Sequence, residues 1–214
     1  MSGGALSVPH LPPSPPRPQA LPEGERGALA VDVALAALVG EGVYNFGEVN
    51  AHRVLGALAG GPHAWLAELL RAFQHGDIDA FNAVLGAHGA DVAAAPALAA
   101  SAGALKEKIA LLALMELAAR RPALGRVLTF ADVAAAARLP ADQVEWLLMR
   151  ALALGLIDGD MDEVARTVNV TYVKPRVLDA QQIRALADGV RAWRAKADTM
   201  LAFVEAGTAE IFRK

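Results

Sequence analysis

The sequence predicts a mainly α-helical protein in which the end of a helical-repeat solenoid precedes a winged helix and a long C-terminal helix. Three observations support this fold class. Alanine and leucine dominate the apolar content, because 55% of the residues are hydrophobic but only 5% are aromatic, and this favours close-packed helices. A helix–turn–helix–hairpin pattern lies within residues 127–174. An apolar repeat with a period of 3.5 residues then runs from Ile183 to Ile211.

Composition and pattern divide the 214 residues into four segments. Residues 1–27 form a proline-rich leader that we expect to be disordered, because it cannot bury enough apolar surface to order itself. Residues 28–104 form the helical-repeat part, residues 105–175 the winged-helix part and residues 176–214 the C-terminal helix. The chain contains no cysteine, which excludes disulfides and thiolate metal sites.

Short helices separated by glycine-bearing turns are predicted for the repeat part. Gly76 is expected to end the third helix and Asp77 to cap the fourth. The alanine-rich stretch 88–103, which Pro96 interrupts, predicts only a loop with some helix. An amphipathic helix at residues 105–120 leads into the winged helix. The four earlier helices are predicted at residues 28–39, 48–58, 64–73 and 78–85.

Local signals define the two central helices of the winged helix. Thr129 is placed to cap a short helix ending near Leu139, and Asp132 completes a capping-box pattern. Pro140 suits the first turn of the second helix, and Gly155 ends it. The second helix has apolar residues at i, i+3, i+4 and i+7, namely Val144, Leu147, Leu148 and Ala151.

Beyond the second helix the apolar period changes to that of strands. Leu156 and Ile157 start a short strand, residues 158–163 are predicted to form an acidic turn, and residues 167–173 alternate as a second strand. Helix, turn, helix and hairpin together define a winged helix.

The surface of this winged helix is predicted to suit protein docking. A helix that reads DNA needs Arg or Lys to contact bases and phosphates, and the second helix has only Arg150. Trp146 and Met149 offer apolar surface instead, and the four carboxylates within residues 158–163 would repel DNA. A net charge of −3 and a pI near 5.9 also argue against a polyanion partner. A winged helix that binds nucleic acid is the alternative.

Apolar residues in the C-terminal segment alternate spacings of three and four. This 3.5-residue period is typical of the narrow seam of a coiled coil or helical bundle, which needs partner helices. Packing of the helix back onto its own domain is the alternative. The seam comprises Ile183, Leu186, Val190, Trp193, Ala197, Met200, Val204, Gly207 and Ile211, of which only Gly207 breaks the apolar pattern.

The sequence shows no active-site pattern. The five histidines lack metal-ligand spacing, and the glycines within residues 40–48 lack the Gly-Lys-Ser/Thr of a phosphate loop. Residues 158–169 start with the spacing of a calcium loop, but Glu163 and Asn169 replace the glycine and the glutamate that it needs. No apolar run reaches the ~18 residues of a membrane helix. We therefore expect no metal, cofactor, small-molecule substrate or membrane partner; an enzyme of unrecognised type is a further alternative.

Six strings of the sequence together resemble the C-terminal half of PCI-domain subunits of the 26S proteasome regulatory lid. The resemblance runs over residues 31–212. PRVLD followed by QQI, together with GEGVYNFGE, is specific within the PCI group, whereas subunits of the signalosome and of a translation initiation factor are related alternatives. The strings are GEGVYNFGE, WLAELLRAFQHGDIDAFN, LLALMELAARRP, LTFADVA, VEWLLMRALALGLIDGDMDEV and VTYVKPRVLDAQQI.

This resemblance implies a PCI domain, in which a right-handed helical array ends in a winged helix. The hairpin edge would pair with neighbouring PCI subunits, and the C-terminal helix would join the helical bundle of the lid. The implied role is a non-catalytic scaffold in ubiquitin-dependent degradation, in cytoplasm and nucleus, without a nucleic-acid partner. The implied partner-binding residues are Thr167, Val168, Val170, Tyr172 and Val173 of the wing strand, and Ile183, Leu186, Val190, Trp193, Met200, Val204 and Ile211 of the helix.

Chains of this family carry a further N-terminal solenoid of helical repeats. We expect this chain to lack those repeats, with the proline-rich leader in their place.

Overall fold

A computed structural model describes residues 23–121, 126–177 and 180–211, and its elements follow the predicted order. The repeat part comprises α1 (Glu23–Val39), α2 (Phe46–Ala51), a 3₁₀ helix (Arg53–Leu58), α3 (Ala64–His75), α4 (Ile78–Ala87), α5 (Gly89–Ala94) and α6 (Pro96–Ala100). The winged-helix part comprises α7 (Ala102–Arg120), β1 (Val127–Thr129), α8 (Phe130–Ala137), α9 (Ala141–Ala153), β2 (Ile157–Asp162) and β3 (Thr167–Val173). Helix α10 (Ala180–Ile211) follows. The predicted fold class is confirmed.

The first helix begins earlier than the sequence predicted. Helix α1 starts at Glu23, inside the segment 1–27 that was expected to be a disordered leader. Residues 1–22 of that segment lie outside the described residues.

The predicted helix at residues 48–58 is wrong, because His52 interrupts it with an extended conformation (φ −74°, ψ 126°). A continuous helix turns ~100° per residue, so Val49 and Val54 would lie about 140° apart and could not share one buried face. The break at His52 changes the direction in which the following side chains point, and the 3₁₀ helix after it buries Val54, Leu55 and Leu58.

The turn between α3 and α4 has the predicted caps. Gly76 adopts a left-handed conformation with φ 63°, and the Asp77 side chain accepts a hydrogen bond from the Ala80 N–H at 3.0 Å. A Cβ at Gly76 would lie 2.7 Å from the backbone of Leu112, so the turn approaches α7 more closely than a side chain allows.

Helix α7 lies at the centre of a core that continues from the repeats into the winged helix. It packs against α1, α3, α4 and α6 on one side and against α8, α9 and β3 on the other. Phe46, Phe73 and Phe81 add an aromatic cluster on the repeat side, with ring centroids 5.1 and 5.6 Å apart. The two parts of the chain therefore share one core.

Lys108 of α7 is a charged residue inside this core, only 7% exposed. Its Nζ donates hydrogen bonds to the carbonyls of Leu38 and Gly40, both at 2.7 Å, and of Ala37 at 3.3 Å. These carbonyls end α1, where a helix lacks its own donors and favours a cation. The Phe46 ring lies 5.7 Å from the ammonium, and burial lowers the pKa of Lys108. Lys108 thus joins α1 to α7.

The capping box of the winged helix forms as predicted. Thr129 Oγ1 accepts the Asp132 N–H at 3.1 Å, and the Asp132 carboxylate accepts the Thr129 N–H at 3.4 Å. Helix α8 ends at Ala137, two residues before the predicted Leu139, because Arg138 turns to a left-handed conformation (φ 50°). The predicted stripe of α9 is fully buried, with Val144, Leu147, Leu148 and Ala151 each 0% exposed.

The wing is a three-stranded antiparallel sheet in the order β1-β3-β2. Strand β3 has the predicted bounds, whereas β1 was not predicted because three residues are too few to show an alternation. The predicted acidic turn at 158–163 is wrong: residues 158–162 pair with β3 as strand β2, and the chain turns after Asp162. Gly159, with φ 154°, lies at a bulge in this pairing.

Candidate protein-interaction surfaces

The predicted wing strand β3 lies in the middle of the sheet, between β1 and β2. Val168 and Val170 are 0% and 2% exposed, because their side chains face the core. Two of the predicted partner-binding side chains are therefore not exposed in this structure. Tyr172 is half exposed, and Thr167 and Val173 are partly buried.

Strand β2 forms one edge of this sheet among the described residues. An edge strand presents backbone groups that another strand can pair with, and charged side chains limit indiscriminate pairing. The exposed residues of β2 are all acidic, and none of their register partners on β3 is basic. The pairs are Asp158 with Tyr172, Asp160 with Asn169 and Asp162 with Thr167.

Helix α9 presents apolar rather than basic surface. Trp146 and Met149, one turn apart, are 50% and 47% exposed. Arg150 donates a hydrogen bond from Nε to the Glu107 carboxylate of α7 at 2.9 Å. The single basic residue of the helix is therefore already held by a carboxylate, which weakens the case for DNA readout.

Helix α10 is the largest exposed apolar feature of the described chain. Its 32 residues extend roughly 48 Å at 1.5 Å per residue. Leu201 and Phe203 add exposed apolar surface outside the predicted seam. The seam residues Ile183, Leu186, Val190, Trp193, Met200 and Val204 are 54–72% exposed, whereas the side chain of Ile211 lies outside the described residues.

The exposure of α10 decides against its packing back onto the domain. Among the side chains described between residues 183 and 206, only that of Ala187 is partly buried, and the others are exposed. Ion pairs within the helix support it locally, since Arg191 contacts Asp188 at 2.6 Å and Arg194 approaches Asp198 at 3.7 Å. Such pairs contribute only a few tenths of a kcal/mol each, so they account for little of the stability of a helix this long.

The segment 174–177, here called the strap, joins the wing to α10, and its contacts were not predicted from the sequence. The Lys174 N–H donates to the Leu156 carbonyl at 2.8 Å, which keeps the strap beside β2. Arg176 donates to the Glu116 carboxylate of α7 at 2.7 Å and to the Gln74 carbonyl of α3 at 3.3 Å. The side chains of this ion pair are only 12% and 13% exposed.

The strap ends against α2. The Val177 N–H donates to Asn45 Oδ1 at 2.9 Å, and a Cβ on Gly47 would lie 2.2 Å from the Val177 carbonyl oxygen. Glycine at position 47 is thus required by this close approach. The strings GEGVYNFGE and PRVLD, which the sequence marked as distinctive, contact each other here; their arrangement in space could not be read from two strings 132 positions apart.

A groove of about 530 Å³ lies between the α3–α4 turn, α7 and α8 among the described residues. Its Arg138 is held by Asp79 at 2.7 Å, which raises the pKa of Arg138, and its Arg120 is held by Glu116 at 3.1 Å. No group of three or more potential metal ligands occurs among the described residues. Within the described helices, none combines the length and apolar character that a bilayer-spanning segment requires.

A helical array fused through one core to a winged helix is the arrangement of a PCI domain, and comparison with known families agrees. The PCI domain family matches residues 85–171, so the chain contains a PCI domain. A second family, PSD13 N-terminal repeats, matches residues 14–70. This match covers part of the predicted helical-repeat segment 28–104 and also residues 14–27, which were expected to belong to a leader.

The particular relatives are 26S proteasome non-ATPase regulatory subunits 13, whose sequences this chain resembles. It is 37% identical to that subunit from Dictyostelium discoideum over 90% of this chain and 50% of the relative. It is 41% identical to homolog B of the subunit from Arabidopsis thaliana, over 86% of this chain and 47% of the relative. The chain therefore spans about half the length of these relatives, and the predicted resemblance is confirmed.

A weaker similarity connects the chain to the alternative PCI complex. Eukaryotic translation initiation factor 3 subunit M from Neosartorya fischeri is 30% identical over 81% of this chain and 36% of its own length. Because the chain is more similar to the proteasome subunits than to this initiation factor subunit, the comparison favours the proteasome relatives.

Proposed function

We propose that this chain is a non-catalytic scaffold subunit of the 26S proteasome regulatory lid, acting in lid assembly and thereby in ubiquitin-dependent protein degradation. The observation that carries the proposal is the exposed apolar seam of α10, because a helix with such a seam gains stability by joining other helices. The similarity to regulatory subunit 13 supplies the identity of the assembly.

Two surfaces are proposed to contact neighbouring lid subunits. The first is the wing, where a strand of a neighbouring PCI domain would pair with the edge strand β2. Thr167, Tyr172 and Val173 of β3 are register partners of β2 and lie beside this edge. Val168 and Val170 would support this surface from the core. The second is the α10 seam, which would enter the lid bundle through Ile183, Leu186, Val190, Trp193, Met200, Val204 and Ile211. We propose cytoplasm and nucleus as the location, in keeping with this assembly.

Affinity purification of the tagged 214-residue chain from its own cell extract, with mass spectrometry of the bound proteins, tests the proposal. We expect lid subunits in amounts comparable to the tagged chain. Recovery of initiation factor 3 subunits instead would favour the alternative PCI complex. Recovery of the chain alone would contradict a scaffold role.

The winged-helix nucleic-acid binder remains the alternative of a different class, and salt-dependent DNA binding separates it from the proposal. Phosphate contacts make the affinity for DNA fall steeply as the salt concentration rises. Fluorescence anisotropy with labelled duplex DNA measures this fall, since six or more contacts lower the affinity about 10³-fold or more between 50 and 200 mM salt. We expect no saturable binding, because α9 and β2 present carboxylates and a paired Arg150. Saturable binding with a steep salt dependence would contradict the scaffold proposal.

A further inference from the structure

We propose that the strap, residues 174–177, is an anchor that fixes the point at which α10 leaves the PCI domain, and that Arg176 is its main positioning residue. The proposal goes beyond the scaffold role, because it concerns the chain by itself and holds whichever partner α10 meets. It assigns a role to a segment that belongs to neither the winged helix nor α10.

The contacts of the strap come from three separate helices of the body. Arg176 contacts Glu116 of α7 and Gln74 of α3, and Val177 contacts Asn45 immediately before α2. The strap can therefore dock fully only where α2, α3 and α7 are already packed together. Correct packing of the body is thereby coupled to the placement of α10.

Burial makes the Arg176–Glu116 pair suited to hold one position. Both side chains are about one-eighth exposed, so water competes weakly for their charges. Both carboxylate oxygens of Glu116 are in use, since Oε2 accepts from Arg176 and Oε1 accepts from Arg120 at 3.1 Å. Arg176 and Glu116 each have a second hydrogen-bond partner, so this buried ion pair restricts the strap more than an exposed ion pair would.

The anchor lies close to the start of α10 along the chain. Val177 and Ala180 are three positions apart, and an extended chain spans at most about 3.6 Å per residue, or roughly 11 Å. The first turn of α10 must therefore start within roughly 11 Å of the Val177 anchor on α2. Gly47 allows this approach, because a side chain there would collide with the Val177 carbonyl.

The absence of cysteine from the sequence makes a distance measurement direct. Spin labels on Asn82→Cys of α4 and Arg184→Cys near the start of α10 both occupy exposed positions. Double electron–electron resonance on the otherwise unaltered full chain should give a narrow distance distribution. Arg176→Gln should broaden that distribution at least twofold, whereas Arg191→Gln, which breaks an exposed pair within α10, should leave it unchanged.

Circular dichroism separates a lost anchor from a lost fold. We expect the helix content of the Arg176→Gln chain to match that of the parent. If Arg176→Gln fails to fold, Asn45→Ala decides the question, because it removes the acceptor of the Val177 N–H at a partly buried position outside the core. A broad distance distribution in the parent chain would overturn the anchor proposal. So would a narrow distribution in the folded Arg176→Gln chain or, if that chain does not fold, in Asn45→Ala.

Discussion

Lys108 shows how one side chain connects two elements that lie 70 positions apart. Its hydrogen bond to the Leu38 carbonyl and those to the adjacent α1 carbonyls satisfy acceptors that the helix itself leaves open. Lysine is seldom fully buried in proteins, so the residue type gives no sign of this contact. Only the packing of α1 against α7 reveals its role.

Replacing Lys108 with Met should lower the free energy of unfolding by about 2–3 kcal/mol, because buried carbonyls lose their donor. Chemical denaturation followed by circular dichroism measures this. The matched control is Lys106→Met on the same helix, where the side chain is exposed; its effect should stay within about 0.5 kcal/mol. Equal effects of the two substitutions would contradict the role of Lys108.

Two glycines of the repeat part test whether the α3–α4 turn approaches α7 too closely for a side chain. Gly76→Ala should destabilise the chain by about 1–3 kcal/mol, because φ is positive and a Cβ would collide with the backbone of α7. Gly86→Ala is the control, since no atom lies within 4 Å of its Cβ position and α4 is helical there. That change should be neutral or stabilising by up to about 1 kcal/mol. Thermal unfolding of both variants checks the difference, and a tolerated Gly76→Ala would contradict the close approach.

At the scale of elements, local chemistry made several predictions possible. The Thr129 capping box, the Gly76–Asp77 turn and the alternation of β3 depend on neighbouring residues only, and all were predicted. The break at His52 was not, because it depends on which face of the chain meets the core. Strand β1 was missed because its three residues become a strand only by pairing with β3.

The Thr129 cap at the start of α8 is expected to stabilise the chain. Thr129→Ala should cost about 1 kcal/mol of stability, because α8 loses the acceptor for its Asp132 N–H. Thr199→Ala is a suitable comparison, since that hydroxyl donates only to a carbonyl within exposed α10 and should matter less. Denaturant unfolding of both variants distinguishes them. A larger loss from Thr199→Ala would contradict the capping argument.

For the whole molecule, the α10 seam could be predicted from the sequence because it follows from a period along one helix. Its residues are exposed in the structure, and its role as a site stays a prediction. The central place of β3 in the sheet depends on its pairing with β1, which the sequence did not reveal. The strap was missed because its contacts join segments 60 or more positions apart.

The central claim is that the α10 seam is a docking surface, and one reconstitution tests it most directly. Lid subunits are co-expressed with the parent chain, with Trp193→Ala or with Phe203→Ala, and incorporation is measured by native mass spectrometry. Trp193 and Phe203 are both exposed aromatics of α10, at 71% and 80%, but only Trp193 lies in the seam. Neither change should alter the fold of the isolated chain.

We predict that Trp193→Ala reduces incorporation by 30-fold or more, since a buried aromatic anchor contributes about 2–4 kcal/mol at an interface. Phe203→Ala should incorporate nearly as well as the parent. Normal incorporation of Trp193→Ala, or equal losses for both variants, would contradict the account.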